Sequence, residues 1–451
     1  MRLGRKGYLA IILGFVAIAA TVILLMLSGG PEMLRTKPGD GDVVSSTSWV
    51  GVEFSEPMDI ESAQDHFDLA PTVKGSFIWN DEWMWFRPDE ALEPGSSYTA
   101  SLDTGAKTLD GGRVNEAYSW TFDVLPPAVL YLTSSNDEPA LMRIELPPDG
   151  GEIAELVSGK PMVFDYAVSQ DGSQIVLSAE NEQGGSDLLL IGRNGGDPEL
   201  LVDCGGDRCD APAWSPLGER IAYRREPYTV DTMSGFDPPR LWTVDPYSGE
   251  TSELLHDDHI LGGRPNWSPD GVYIAFYDAV LDGIRIIDLH TGSEAVLPSS
   301  FGVMGGWSPT GDEMIISIFN IDGNGVLITL HRADLKTGEA VEIVGEETGW
   351  IDVGMPAWSL TGEWVAVGAQ GADSPGRGLW LLRPNGEDLQ VVISDPGYTL
   401  GGYIWDPSGR IILFQRFKLD DPEATPEVLI WYLEDGSVVP IAQDAWLPVW
   451  Q

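Results

Sequence analysis

Few residues of this chain are of the types that do chemistry near neutral pH, and they are scattered. Two of its five histidines fall in the run His256-Asp257-Asp258-His259. Two imidazoles and two carboxylates are a possible divalent-cation set, but the spacing fits no regular ligand pattern, and a solvated polar loop is the preferred reading. Asn320 to Gly325, "NIDGNG", has the start of a calcium loop and lacks the later glutamate, so it reads as a turn between strands. Cys204 and Cys209 bracket a glycine pair in "DCGGDRC". With too few His or Cys nearby to complete a zinc site, they read as a small disulfide loop of an oxidising compartment. No Gly-x-Ser-x-Gly elbow, His-Glu-x-x-His pair or phosphate-binding glycine loop occurs in context. The chain therefore names no catalytic residue, no metal site and no cofactor, and a non-enzymatic role is expected.

The charge balance narrows the partners. There are 26 Lys+Arg against 70 Asp+Glu, a formal net charge of −44. Nucleic acid is excluded, because its phosphates need basic neutralisation. The acids are spread along the chain and read first as a solubility device, with attraction of cations or basic partners as the sharper alternative.

Stepping along the 451 residues, the first segment is apolar. Arg2, Arg5 and Lys6 precede an uncharged run, Tyr8 to Leu27, long enough to span a hydrocarbon core. It exceeds the usual apolar core of a cleaved signal peptide, which is the rival reading. A signal anchor is expected over 8–27, with residues 1–7 as a cytoplasmic tail and the rest extracytoplasmic: a single-pass protein of the cell membrane. Residues 28–37 read as a linker.

Residues 38–124 show short alternating strands separated by turn residues, which suggests a sandwich of roughly seven strands. The run Phe54-Ser55-Glu56-Pro57-Met58-Asp59, followed by Phe86-Arg87-Pro88, Pro94-Gly95, Tyr98, Trp120 and Phe122, resembles the bacterial Ig-like domain of the SbsA type. That resemblance implies a spacer or adhesion module. Trp79, Trp83, Trp85 and Trp120 read as packing residues, with a sugar-stacking strip as the alternative.

From about residue 128 one unit recurs. "APAWSPLGERIAYR", "RPNWSPDGVYIAFY", "MGGWSPTGDEMIIS", "MPAWSLTGEWVAVG" and "YIWDPSGRIILFQ" align on Trp214, Trp267, Trp307, Trp358 and Trp405, and an earlier copy has Val168 in the Trp place. A period of 40–53 residues with four strands per unit predicts propeller blades. The Ser-Pro-x-Gly step is a turn, with proline presetting φ and glycine supplying a positive one. "WSPDG", Trp267 to Gly271, resembles the WD40-like, TolB-type propeller family, which implies protein–protein work at a bacterial cell envelope. The segment before the first full copy supplies strands B, C and D without an A. "AWLPVWQ" at the end supplies the missing A, with Trp450 in register 45 residues after Trp405. Six complete units and one shared between residues 128–158 and 445–451 make a seven-bladed ring over 128–451.

The fold class expected is therefore all-β: an N-terminal transmembrane helix, an Ig-like sandwich and a closed seven-bladed propeller. Long B–C insertions fall at 224–239, 368–377 and 416–427, on the same face as the D–A connections that hold Cys204, Cys209, His256 and His259. Arg224, Arg225, Tyr228, Arg264 and Tyr403 are the cationic or aromatic groups expected there, with His256 and His259 as weaker candidates. The expected function is a membrane-anchored scaffold that binds a protein, peptide or glycan through this face. The alternative is a hydrolase or lyase acting on extracellular polymer from a site in the channel.

Overall fold

The computed structural model describes residues 30–80, 82–135, 138–146, 153–159, 161–233, 235–255, 260–299, 302–322, 325–421 and 423–451. The expected fold class needs one correction. No helix of the described residues is long and apolar enough to cross a membrane, and the run at 8–27 lies outside them. What the described residues form is an Ig-like unit and a propeller unit, both built of strands.

In the first unit two four-stranded sheets form a sandwich. The strand Tyr118–Val124 alternates in and out, so Trp120, Phe122 and Val124 are buried while Ser119, Thr121 and Asp123 face water. This period of two is what a sheet with one wet face requires. The motif Phe54 to Asp59 turns the chain into the short helix Ile60–Asp65: Asp59 is its N-cap and accepts the Ser62 amide at 2.8 Å. The stretch expected as a linker instead carries a strand, Met33–Lys37, which pairs antiparallel with Val50–Phe54. Trp85 and Trp120 are buried, Trp83 stacks on Trp85 at 4.9 Å, and Trp79 stacks on Phe54 at 6.2 Å. None of the four is offered as an open aromatic face.

In the second unit the described residues make seven antiparallel blades. Blade 1 is shared: Ala445–Trp450 is its strand A, followed by Ala128–Ser135, Glu138–Glu145 and Ile153–Ser158. Trp450 pairs with Val129 and Trp446 with Leu132. Blades 2 to 7 begin with strands A at Val163–Val168, Arg208–Trp214, Asn266–Trp267, Gly306–Trp307, Trp350–Val353 with Ala357–Trp358, and Tyr398–Trp405. The apolar residues sort into seven clusters, one at each junction of neighbouring blades, including Leu130, Leu141 and Ile175 between blades 1 and 2 and Val129, Tyr131 and Ile430 between blades 7 and 1. A blade buries both of its faces only when both neighbours are present.

The repeated residues have specific tasks. In four of the repeats the indole N–H of the Trp reaches back to the preceding blade. Trp214 donates to Ala167 O, Trp267 to Ala213 O, Trp405 to Ala357 O and Trp450 to Ile404 O, at 2.9–3.2 Å. The serine after it is buried, and its hydroxyl accepts the amide five residues on: Tyr273 N–H to Ser268 and Trp364 N–H to Ser359. In blade 7 Asp406 replaces the serine and accepts the Ile411 amide at 2.7 Å. Blade 2 has Val168 where the Trp should be, and its bond to the closing blade is made otherwise. The hydroxyl of Tyr166, a buried residue, donates to Leu447 O at 2.6 Å.

Two variants test this closure. Tyr166→Phe removes a hydroxyl bond across the blade 1–2 junction and is expected to cost about 1–2 kcal/mol, seen as a lower urea midpoint at unchanged slope. Deleting residues 444–451 leaves the Ala128–Ser135 edge unpaired and is expected to lower the midpoint far more. An unchanged unfolding curve for the deletion would show that the ring does not depend on its shared blade.

Candidate functional site

All strands A run the same way, so the B–C connections of every blade emerge on one face, together with the D–A connections. Strands A lie innermost, around the central channel of a propeller. In three blades the inner strand leaves its ladder about three residues before the Trp. Register shifts occur between Asp210 and Ala213, Gly401 and Ile404, and Trp446 and Val449. At this point Ala211, Gly402 and Leu447 have φ of 49°, 67° and 50°. Such a bulge re-aims a side chain without ending the strand. The equivalent positions in the seven blades carry Leu447, Asp165, Ala211, Arg264, Met304, Met355 and Gly402.

Two of the expected cations meet carboxylates here. Arg264 Nη1 lies 3.0 Å from Asp165 Oδ2. Arg224 grips Asp210 with two bonds, Nε to Oδ1 at 2.6 Å and Nη2 to Oδ2 at 2.5 Å, and lies 3.7 Å from Glu226. Asp165 is buried and also accepts the Tyr166 amide at 2.9 Å. Burial pushes its carboxyl above the usual carboxylate range; Arg264 and the Tyr166 amide oppose this, and the Asp210 charge adds to it. The Asp210 bond holds Arg224 firmly charged. The mouth is thus a mixed surface of matched charges and apolar Met and Leu.

Arg225 and Tyr228 belong to a second group. Arg225 Nε donates to Asp207 Oδ2 at 2.7 Å, and its guanidinium lies over Trp242 at 5.3 Å. The other oxygen of Asp207 accepts the Tyr228 amide at 2.9 Å. Asp207 sits in the loop closed by the Cys204–Cys209 disulfide. That loop is fastened to blade 2: Asp187 accepts the Cys204 amide, Ser186 Oγ accepts the Cys209 amide, and Asn181 donates to Gly205 O. The disulfide loop therefore anchors the start of the long blade 3 insertion, where Tyr228 is 58% exposed and meets Phe236 edge to face at 6.0 Å.

Tyr403 is placed differently from expectation. It is 4% exposed, stacks on Phe414 and covers Gly368, where an added Cβ would come within 2.7 Å of its hydroxyl. It packs between blades 6 and 7, and burial raises its hydroxyl above the ordinary tyrosine range. His256 and His259 lie outside the described residues. Among the described residues no group of three His, Cys, Asp or Glu could hold a metal ion. Asp165, Asp207 and Asp210 were not singled out in the sequence. The available signal was positional: Asp165 occupies in blade 2 the place that Arg264 occupies in blade 4.

Removing Arg264 leaves Asp165 buried without its cation. Asp165 titrates above its unfolded value, so the folded state holds its proton more tightly, and the stability this confers is lost as pH rises through the folded pKa. Arg264→Ala is expected to match the parent at low pH, below the unfolded aspartate range, and to fall behind by about 1–3 kcal/mol at neutral pH. Denaturation midpoints measured at pH 3.5 and pH 7 would show this divergence. A penalty that is the same at both would mean the pair does not govern Asp165.

Residues 28–124 match the family described as bacterial Ig-like domain. An uncharacterized protein of Agrobacterium fabrum is 24% identical over 211 residues, spanning 44% of this chain and 67% of the relative. Among solved structures, TolB from Acinetobacter baumannii is similar at 14% identity and a TM-score of 0.42, covering 72% of this chain and 83% of that one. A structure from a study of two prolyl endopeptidases is similar at 13% identity and a TM-score of 0.50, covering 70% of this chain and 50% of that one. At such identities the structural likeness speaks to the fold. The chain joins a bacterial Ig-like domain at residues 28–124 to a β-propeller similar to that of TolB.

Proposed function

We propose that the protein is a non-enzymatic binding scaffold whose propeller engages a protein or peptide through the B–C face. The observation that carries this is the set of bare apolar side chains at the B–C connections. Val230 and Met233 in blade 3, Val280 and Leu281 in blade 4, Ile321 in blade 5, and Phe417 and Leu419 in blade 7 are all exposed. Large apolar groups gathered on one face mark an interaction surface, whereas scattered ones do not. Acids are interleaved with them: Asp231, Asp237, Asp282, Asp420 and Asp421. The disulfide supports placement outside the reducing compartment.

Site-specific photo-crosslinking in the native cell tests the face. A crosslinker placed at Met233 or Ile321 is expected to give a discrete protein adduct. The same group at Tyr247, in the exposed C–D turn of blade 3 on the opposite face, is expected to give none. Equal labelling from both faces would sink the proposal. So would turnover of an added polymer that is abolished by Asp165→Asn, which would favour a hydrolase or lyase in the channel.

A further inference from the structure

On the same face a pocket of about 570 Å³ opens at blade 6. Three connections meet around it: Thr348 and Gly349 leading into the blade, Ala372 to Pro375 at its B–C turn, and Ser394 with Pro396 leading out. Trp380 and Val391, cross-strand partners on adjacent strands of the blade, complete the lining. The volume lies within the range of pockets that bury a small ligand or a few residues of a peptide.

Its walls are rigid. The Trp380 ring is set edge to face against the buried Trp350 at 5.4 Å. The B–C turn is pinned by Gln370 Nε2 donating to Ser374 O at 2.8 Å and Ser374 Oγ donating to Gly376 O at 2.7 Å. The charge is equally defined. Asp373 is exposed and is the one ionisable residue of the described lining. Its neighbour Arg377 is committed to Asp352 by two bonds of 2.7 and 2.8 Å. Among the described residues no cation pairs with Asp373.

We propose that this pocket receives a cationic side chain, arginine or lysine, of a bound peptide, with the cation over the Trp380 indole and paired with the Asp373 carboxylate. The inference rests on the proposed binding role of this face and specifies its partner. An indole and an unopposed carboxylate in one recess both favour a cation. The small Gly, Ala and Ser walls leave backbone groups open to a peptide main chain. A saccharide is less suited, because no Asn, Gln, Glu, Arg, Lys or His of the described lining is present to bracket ring hydroxyls. An anion has no cation to meet in the described lining. The whole chain agrees: its charge is −44, and Arg224, Arg225, Arg264, Arg285, Arg332, Arg377 and Arg416 are each already paired with a carboxylate of the protein.

The test uses the full chain and two capped tripeptides, acetyl-Gly-Arg-Gly-amide and its citrulline counterpart, an uncharged near-isostere. NMR of the indole N–H groups reads the binding, with the Trp380 signal assigned by Trp380→Phe. The arginine peptide is expected to shift that signal saturably, the citrulline peptide to bind at least about tenfold more weakly, and added salt to weaken the former. Asp373→Asn, at an exposed position that leaves the packing intact, is expected to lose about tenfold for the arginine peptide alone. Equal binding of the two peptides, indifference to Asp373→Asn, or a saturable Trp380 shift with cellotetraose and none with arginine would overturn the proposal. A protein that crosslinks at Met233 but ignores the tripeptide keeps the face and loses the pocket. One that binds the tripeptide without a Met233 adduct keeps the pocket and loses the face.

Discussion

The pairing of Ala445–Trp450 with Ala128–Ser135 is the contact on which the propeller depends. It joins segments more than three hundred positions apart, and loop-closure entropy opposes it. Its return is the completion of two interblade cores at once. Leu130 and Leu132 pack with blade 2 and Val129 and Tyr131 with blade 7, all at 5% exposure or less. Each such side chain contributes roughly 1.5–3 kcal/mol when buried. An open ribbon would leave both clusters half-built and two sheet edges bare.

The ring has a seam, and the seam is made differently from the other joints. Where a Trp is present, its N–H fastens one inner strand to the one before. Trp307 departs from this: its indole N–H has no partner among the described residues. Trp358 departs as well, its N–H turned to Gly362 O in its own turn. At the seam the partner strand arrives from the other end of the chain, and Tyr166 replaces the indole with a shorter bond from a different residue position. Leu447, which receives it, is one of the residues held at positive φ. The bulge that sets Leu447 at positive φ thus also presents its carbonyl to the neighbouring blade, while its side chain packs on the blade 1–2 core.

What could be read in the sequence follows from what repeats. The aligned Trp, Ser and Gly positions carry backbone tasks that do not change between blades, so the blades, their number and the shared one were legible. Tyr166 was not, because its bond is made once and leaves no periodic trace. The ion pairs were hidden for a related reason. Arg264 and Asp165 are 99 positions apart and meet only when blades 2 and 4 converge, so Arg264 read as a free cation. Tyr403 read as an available aromatic because its cover, Gly368, belongs to the blade before. The strand at Met33–Lys37 was missed because glycine, proline and charge surround it, while its partner Val50–Phe54 lies beyond a turn.

This division bears on where function can reside. The seven positions three residues before the repeat Trp hold Leu, Asp, Ala, Arg, Met, Met and Gly, and three of them, Leu447, Ala211 and Gly402, sit at positive φ. The B–C connections vary more still, from the tight turn after Asp278 to the insertion that follows Glu226. Replacing an interblade Trp or a turn Ser disturbs the ring, whereas these other sites can change without touching it. Chemistry accumulates where the scaffold leaves side chains uncommitted. By that criterion the arginines of the mouth are spent on internal carboxylates. Asp373, beside Trp380 on a pinned turn, is a charge that the fold itself does not use.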